Sequence, residues 1–110
     1  MRAARLRRSG DIAALRTGGR SLRRAAFSAR LRPTDRSETR LAVTAPRTIG
    51  GAVARNRARR RLREAFRQAI KSAAPAGSLD ILVTARAESG AAEFRALVAD
   101  ATALLREAMA

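Results

Sequence analysis

The chain has 110 residues, enough for one domain with a single core and too few for two, and it carries 24 Lys and Arg against 9 Asp and Glu, a net charge of +15. All but one of the basic residues are arginine, Lys71 being the lone lysine, which points to a polyanion as partner. With no His and no Cys, the sequence excludes zinc and haem ligation by those residues, cysteine nucleophiles, Ser-His-Asp and Cys-His arrangements, and disulfides.

The acids (Asp11, Asp35, Glu38, Glu64, Asp80, Glu88, Glu93, Asp100, Glu107) are scattered singly. None pairs at helical spacing within an apolar stretch, as a two-carboxylate or two-metal site would require. Charge is uneven along the chain: residues 1–73 sum to +17 and residues 74–110 to −2, so the polyanion surface belongs to the first two-thirds. No stretch approaches the roughly 18 to 20 apolar residues of a membrane span, and no apolar signal core lies near the start. A soluble, cytoplasmic protein is expected. The first 31 residues are Arg-, Ala- and Ser-rich with one acid, as a mitochondrial transit peptide would be, but they read well as folded structure.

In chain order, residues 1–8 form a basic arm (Arg2, Arg5, Arg7, Arg8) anchored only by Leu6 and open to disorder until it meets its polyanion. Ser9 or Asp11 caps a short helix holding Ile12 and Leu15 on one side, and Gly18-Gly19 ends it. Ala25, Phe27, Ala29 and Leu31 then alternate with Arg24, Ser28, Arg30 and Arg32, a half-buried strand with a basic outer face. Pro33 to Glu38 is turn material, and Leu41, Val43 and Ala45 alternate in a second strand, expected to pair with the first as a hairpin.

Gly50-Gly51 leads into a long helix, about Ala52 to Ala73. Its Ala58, Leu62, Ala65, Phe66 and Ala69 form a buried stripe, and Asn56, Arg60, Arg63 and Arg67 lie opposite. After a turn at Pro75 to Ser78, Leu79 to Ala85 is a short strand whose apolar run implies burial on both faces or a central place in the sheet. A last helix carries Phe94, Leu97, Val98, Ala101, Leu104, Leu105 and Ala108 at helical spacing. The order helix, strand, strand, helix, strand, helix gives a single α+β domain, a small sandwich whose sheet is covered mainly on one face.

The chemistry is concentrated between Thr48 and Arg67. A glycine pair at a helix entrance lets backbone N–H groups approach a phosphate, and the helix N-terminus adds positive potential. Seven arginines follow within residues 55–67, and their planar forks suit phosphate oxygens better than lysine does. Asn56 adds an amide that can both donate and accept at a ribose or base edge. Composition alone would also allow a merely solvated basic face, but the arginines adjoin Gly50-Gly51 rather than balancing acids.

The run I-G-x-A-V-x-R-N-R-x-R-R-x-L-R-E-x-F resembles the signature of the protein subunit of bacterial ribonuclease P. That ribonucleoprotein removes 5′ leaders from precursor tRNAs. Arg5-Leu6-Arg7-Arg8, Asp11, Phe27 and Leu79 to Ala85 extend the likeness over nearly the whole chain. The resemblance implies a mixed sheet with helices in two layers and a left-handed βαβ crossover through the long basic helix, against the usual hand. It implies a non-catalytic protein subunit of an endoribonuclease, with partners in the catalytic RNA and the precursor tRNA. Phosphodiester hydrolysis then belongs to the RNA and its Mg2+, and the protein carries no cofactor, metal or catalytic residue of its own.

By the same resemblance, Arg47, Arg55, Asn56, Arg57, Arg59, Arg60, Arg63 and Arg67 face the RNA subunit, and Ile12, Arg16, Phe27 and Arg30 serve the leader. Where the family places aromatic residues in the first helix and first strand, this chain has Ile12, Arg16 and Arg30. Guanidinium stacking would replace part of the lost ring stacking. The rival reading is another basic RNA-binding module, such as a ribosomal protein; a DNA-reading helix-turn-helix is opposed by the strand that precedes Gly50-Gly51.

Overall fold

The structure, a computed structural model, describes residues 4–7 and 9–109, so Arg2 and Arg8 of the basic arm lie outside the described residues. In chain order the elements are β1 (Ala4–Arg5), α1 (Ser9–Gly18), β2 (Arg20–Arg23), β3 (Phe27–Thr34), β4 (Arg40–Thr44), α2 (Ala52–Ala73), β5 (Ser78–Ala85) and α3 (Phe94–Met109). Two 3-10 turns, Arg47–Ile49 and Ala87–Gly90, precede α2 and α3 respectively. The fold is α+β, with one mixed five-stranded sheet in the order β1-β4-β5-β3-β2.

One expectation needs correcting. The strands at 27–34 and 40–44 are not hairpin partners, because β5 lies between them, antiparallel to β3 and parallel to β4. The physical reason is the burial of β5, where Leu79, Asp80, Ile81, Leu82, Val83 and Ala85 are all buried. A strand apolar on both faces loses least free energy to solvent exposure at the sheet's centre, flanked on both edges. Pro33 and Thr34, expected in the turn, complete β3 opposite Leu79 and Ser78.

Two further strands carry too little apolar patterning to be read from sequence. Arg20–Arg23 pairs antiparallel with β3 at one edge, and Ala4–Arg5 runs parallel to Arg40-Leu41 at the other. Within the arm, Leu6 is buried and its N–H donates to the Leu41 carbonyl at 2.9 Å.

Alternation along the strands divides the core in two. Ala29, Leu31, Leu41, Val43, Ile81 and Val83 face α2 and α3, meeting Ala58, Leu62, Phe66, Ile70, Leu97, Leu104 and Leu105. Phe27 and Phe66 meet edge to face with centroids 5.2 Å apart and planes at 75°, a geometry favoured by the ring quadrupoles. On the opposite face a small cluster of Leu6, Leu15, Ala42 and Leu82, with Ile12 against it, seats α1.

Candidate nucleic-acid interface

The register lays out α1's face of the sheet in three rows. Ser28, Thr84 and Thr44 make one row, Arg30, Leu82 and Ala42 the next, and Arg32, Asp80 and Arg40 the third. Helix α1 packs on Leu82 and Ala42 of the middle row through Leu15 and Ile12. The third row is an ion-pair network: Arg40 donates through Nε and Nη2 to the two carboxylate oxygens of Asp80, at 2.8 and 2.6 Å, and through Nη1 to Asp11 Oδ2 on α1 at 3.1 Å. Asp80 is only 1% exposed, so this bidentate pairing is what makes a buried carboxylate tolerable. Asp80, reinforced by Asp11, holds the Arg40 guanidinium above its ordinary pKa despite the opposing effect of burial. The hydroxyl row Ser28, Thr84 and Thr44 is half-buried, with Thr44 Oγ1 3.4 Å from Thr84 Oγ1.

The entrance to α2 follows from glycine chemistry. Gly50 has φ 139° and ψ −155°, backbone that side chains other than hydrogen rarely adopt. Gly51, the N-cap residue, is extended at φ −76° and supplies no side chain to cap the helix. The first-turn amides therefore depend on other acceptors, and no acid occupies that turn to neutralise the dipole.

The core stripe of α2 fixes where its arginines go. On one flank Arg5, Val53, Asn56, Arg59, Arg60 and Arg63 line an open depression of about 460 Å³ between the N-terminal arm and the helix. Asn56 Oδ1 accepts from Arg59 Nη2 at 2.5 Å, which holds the guanidinium beside the amide. Val53, 83% exposed, gives this depression an apolar spot. The Arg63 guanidinium is pushed below its ordinary pKa by partial burial, and further by the like charges of Arg5 and Arg7. Concentrated positive charge with no acid among the lining residues is costly to the free protein and is relieved by an anion.

Other arginines of the predicted set also make contacts within the protein. Arg55 Nε donates to the Ala45 carbonyl at 2.9 Å, joining the end of β4 to α2. Arg57 Nε reaches the Gly90 carbonyl at 3.4 Å on the opposite flank, near Arg61, which donates to the carbonyls of Ser89 and Ala92. Arg67 pairs with Glu64. Its Nε lies 2.9 Å from Glu64 Oε1, and the hydrogen bonds of Arg67, then Gln68, lower the Glu64 carboxyl to about 2. Arg47 is exposed in the turn before Gly50.

Among the residues expected at the leader, Arg16 is exposed on α1, Ile12 is half-buried against the cluster under α1, and Arg30 donates to the Gly19 carbonyl at 3.3 Å. Phe27 does not belong with them. It is fully buried, at 0% exposure, on the α2 side of the sheet and offers no surface to a ligand. Sequence reasoning also missed Arg5 as a member of the α2 depression, since only the pairing of β1 with β4 brings it there. Among the described residues no helix is long and apolar enough to cross a membrane.

A family model described as Ribonuclease P matches residues 1–109. The ribonuclease P protein component of Chloroflexus aurantiacus is 39% identical over 108 residues, covering 97% of this chain and 78% of that protein. That of Gluconacetobacter diazotrophicus is 36% identical over 74 residues, 67% of this chain and 63% of its own length. Among solved structures, the RNase P protein from Thermotoga maritima matches with a TM-score of 0.79 at 30% identity, over 94% of this chain and 96% of that one. The Staphylococcus aureus RNase P protein matches with a TM-score of 0.73 at 18% identity, over 98% and 99%, a likeness of fold.

Proposed function

The chain belongs to the ribonuclease P protein family, and from that premise we propose that it binds the catalytic RNA through the α2 depression and the precursor's 5′ leader across the α1 face of the sheet. Membership of the family makes it the protein component of a tRNA-processing ribonucleoprotein. The observation that carries the finer reading is the convergence of Arg5, Asn56, Arg59, Arg60 and Arg63 on one concave surface with no acid among them. Guanidinium groups so placed can each grip phosphate oxygens in pairs, and the amide of Asn56 can add a sugar or base contact. Affinity would rest on phosphate neutralisation and fall steeply with salt.

On the sheet face, the hydroxyls of Ser28, Thr44 and Thr84 and the guanidinium groups of Arg16 and Arg30 favour a single strand's phosphates, sugars and base edges over ring stacking. The catalytic RNA and its Mg2+ would perform phosphodiester hydrolysis, the protein screening phosphate repulsion and lowering the Mg2+ demand. The cytoplasm is the compartment that suits this role.

The test is binding, by filter retention, of the catalytic RNA and of an unrelated folded RNA of equal length, followed by precursor tRNA with and without its leader on the assembled complex. Preference for the catalytic RNA and tighter binding of the leader-bearing precursor support the assignment. Equal affinity for all four RNAs would put a general basic RNA-binding role, of the ribosomal-protein kind, in its place.

A further inference from the structure

We infer that Arg40 and Asp11 are positioning residues, which hold α1 at a fixed height over the sheet and thereby set the width of the strip open to a nucleic-acid strand. The inference deepens the reading of that face as the leader site and rests on it.

Three attachments hold α1 to the sheet. Leu15 and Ile12 rest on Leu82, Ala42 and Leu6; the Gly19 carbonyl, just past the helix, receives Arg30; and Asp11 in the first turn receives Arg40 at 3.1 Å, with the exposed Arg36 of the loop after β3 a looser second cation at 4.0 Å. The apolar contact is small, and hydrophobic burial is non-directional, so by itself it selects no single orientation of α1. The Arg40 bond is directional. Two of the guanidinium's three nitrogens are committed to Asp80, which is buried in the central strand, so the third points in a direction fixed by the sheet. The Arg40 side chain is itself only 12% exposed, leaving it little freedom to follow a shifted helix. Asp11 thus fastens α1 to a preset point.

The fastening matters because of what α1 leaves open. Ser28, Thr84 and Thr44 form the row beyond that of Leu82 and Ala42, on which α1 sits, at the opposite side from Arg40 and Asp80. Pivoting of α1 about Leu15 would change the gap between the helix and that row. A bond at the Arg40 side of the pivot fixes the gap without occupying it.

Charge and geometry make opposite predictions for Asp11→Ala. As a charge change alone, removing an acid tightens binding of an anionic leader. As a loss of positioning, it loosens α1 and weakens leader binding. Asp11→Asn removes the same charge but keeps an oxygen able to accept from Arg40 Nη1. Asp35→Ala, in the exposed loop after β3, removes a charge without touching α1.

The experiment is amide hydrogen exchange over residues 12–18 of the free full-length protein, paired with the dissociation constants of the assembled enzyme for precursor tRNA and for leaderless tRNA, and with kcat on the precursor. For Asp11→Ala we expect faster exchange in α1 and a roughly fivefold rise in Kd confined to the leader-bearing RNA, the equivalent of one lost ion pair, with kcat unchanged. Asp11→Asn should restore most of both, and Asp35→Ala should alter neither. Unchanged exchange in Asp11→Ala overturns the positioning role whatever the RNA measurements give. Faster exchange together with an equal Kd rise for both RNAs upholds the clamp on α1 and overturns its link to the strip, and a wild-type enzyme that binds both RNAs equally overturns the leader reading beneath it.

Discussion

Replacing Arg60 and Arg61 by alanine, one at a time, separates the two flanks of α2. The residues are sequence neighbours of identical charge, yet Arg60 lines the depression with Arg5, Arg59 and Arg63 while Arg61 donates to the carbonyls of Ser89 and Ala92. Each phosphate neutralised contributes about 0.7 to 0.9 to the slope of log affinity against log salt. If all four depression arginines engage the RNA, raising salt from 50 to 200 mM lowers affinity by about eighty-fold through them. Losing one reduces that factor to about thirty-fold. Filter-binding titrations of the catalytic RNA across that salt range therefore should show the slope of Arg60→Ala shallower by nearly one.

Arg61→Ala should keep the slope and instead lose about 1 to 2 kcal/mol of stability in urea, since two carbonyls lose a charged donor. Circular dichroism checks that Arg60→Ala leaves the fold intact. Equal slope changes in the two variants would refute the division of α2 into an RNA flank and a structural flank.

Four further outcomes are expected. Phe66→Ala empties the space against Phe27 and should cost about 3 to 5 kcal/mol in chemical denaturation, with binding recovered wherever the variant still folds. Asp80→Ala strips Arg40 of its bidentate partner and should cost about 3 kcal/mol or more, seen as a lowered thermal midpoint. Gly50→Ala should destabilise by about 1 to 3 kcal/mol because of its positive φ, whereas Gly51→Ala, at an ordinary φ and with nothing within 4 Å of the added carbon, should be tolerated; thermal melts of the two distinguish them. Glu64 has a folded pKa of about 2 against an ordinary 4.5, so its stabilisation is complete above 4.5 and is lost as pH falls toward 2; Glu64→Gln should flatten that part of the pH–stability curve, by a modest amount because the pair is exposed.

Much of the fold was legible in the residues. The alternation at Phe27 to Leu31 and Leu41 to Val43, the apolar run at Ile81 to Val83 and the helical stripes of α2 and α3 are strong periodic signals, and each element forms where its pattern lies. Strand order was harder, because adjacency along the chain favours a hairpin; the double-sided burial of β5 was the clue that it takes the central place between β3 and β4. The strands Ala4–Arg5 and Arg20–Arg23 have no such pattern, being edge strands held by backbone pairing with few apolar side chains.

The site divides similarly. Helical spacing places Asn56, Arg60 and Arg63 on one solvent face, which the structure gathers into the depression. It cannot tell that Arg55, Arg57 and Arg61 meet carbonyls of Ala45, Gly90, Ser89 and Ala92, since those acceptors arrive from β4 and from the segment before α3. Phe27 shows the limit of carrying a role by alignment: the inward parity of its strand position decides that the ring belongs to the core.

Cleavage of a precursor by the catalytic RNA at limiting Mg2+, with and without the protein and with the protein alone as control, is the most direct test of whether this protein assists a catalytic RNA in processing precursor tRNA. The protein should restore cleavage at the mature 5′ end only together with the RNA. Binding to the RNA with no gain in cleavage, or cleavage by the protein alone, would rule out that role.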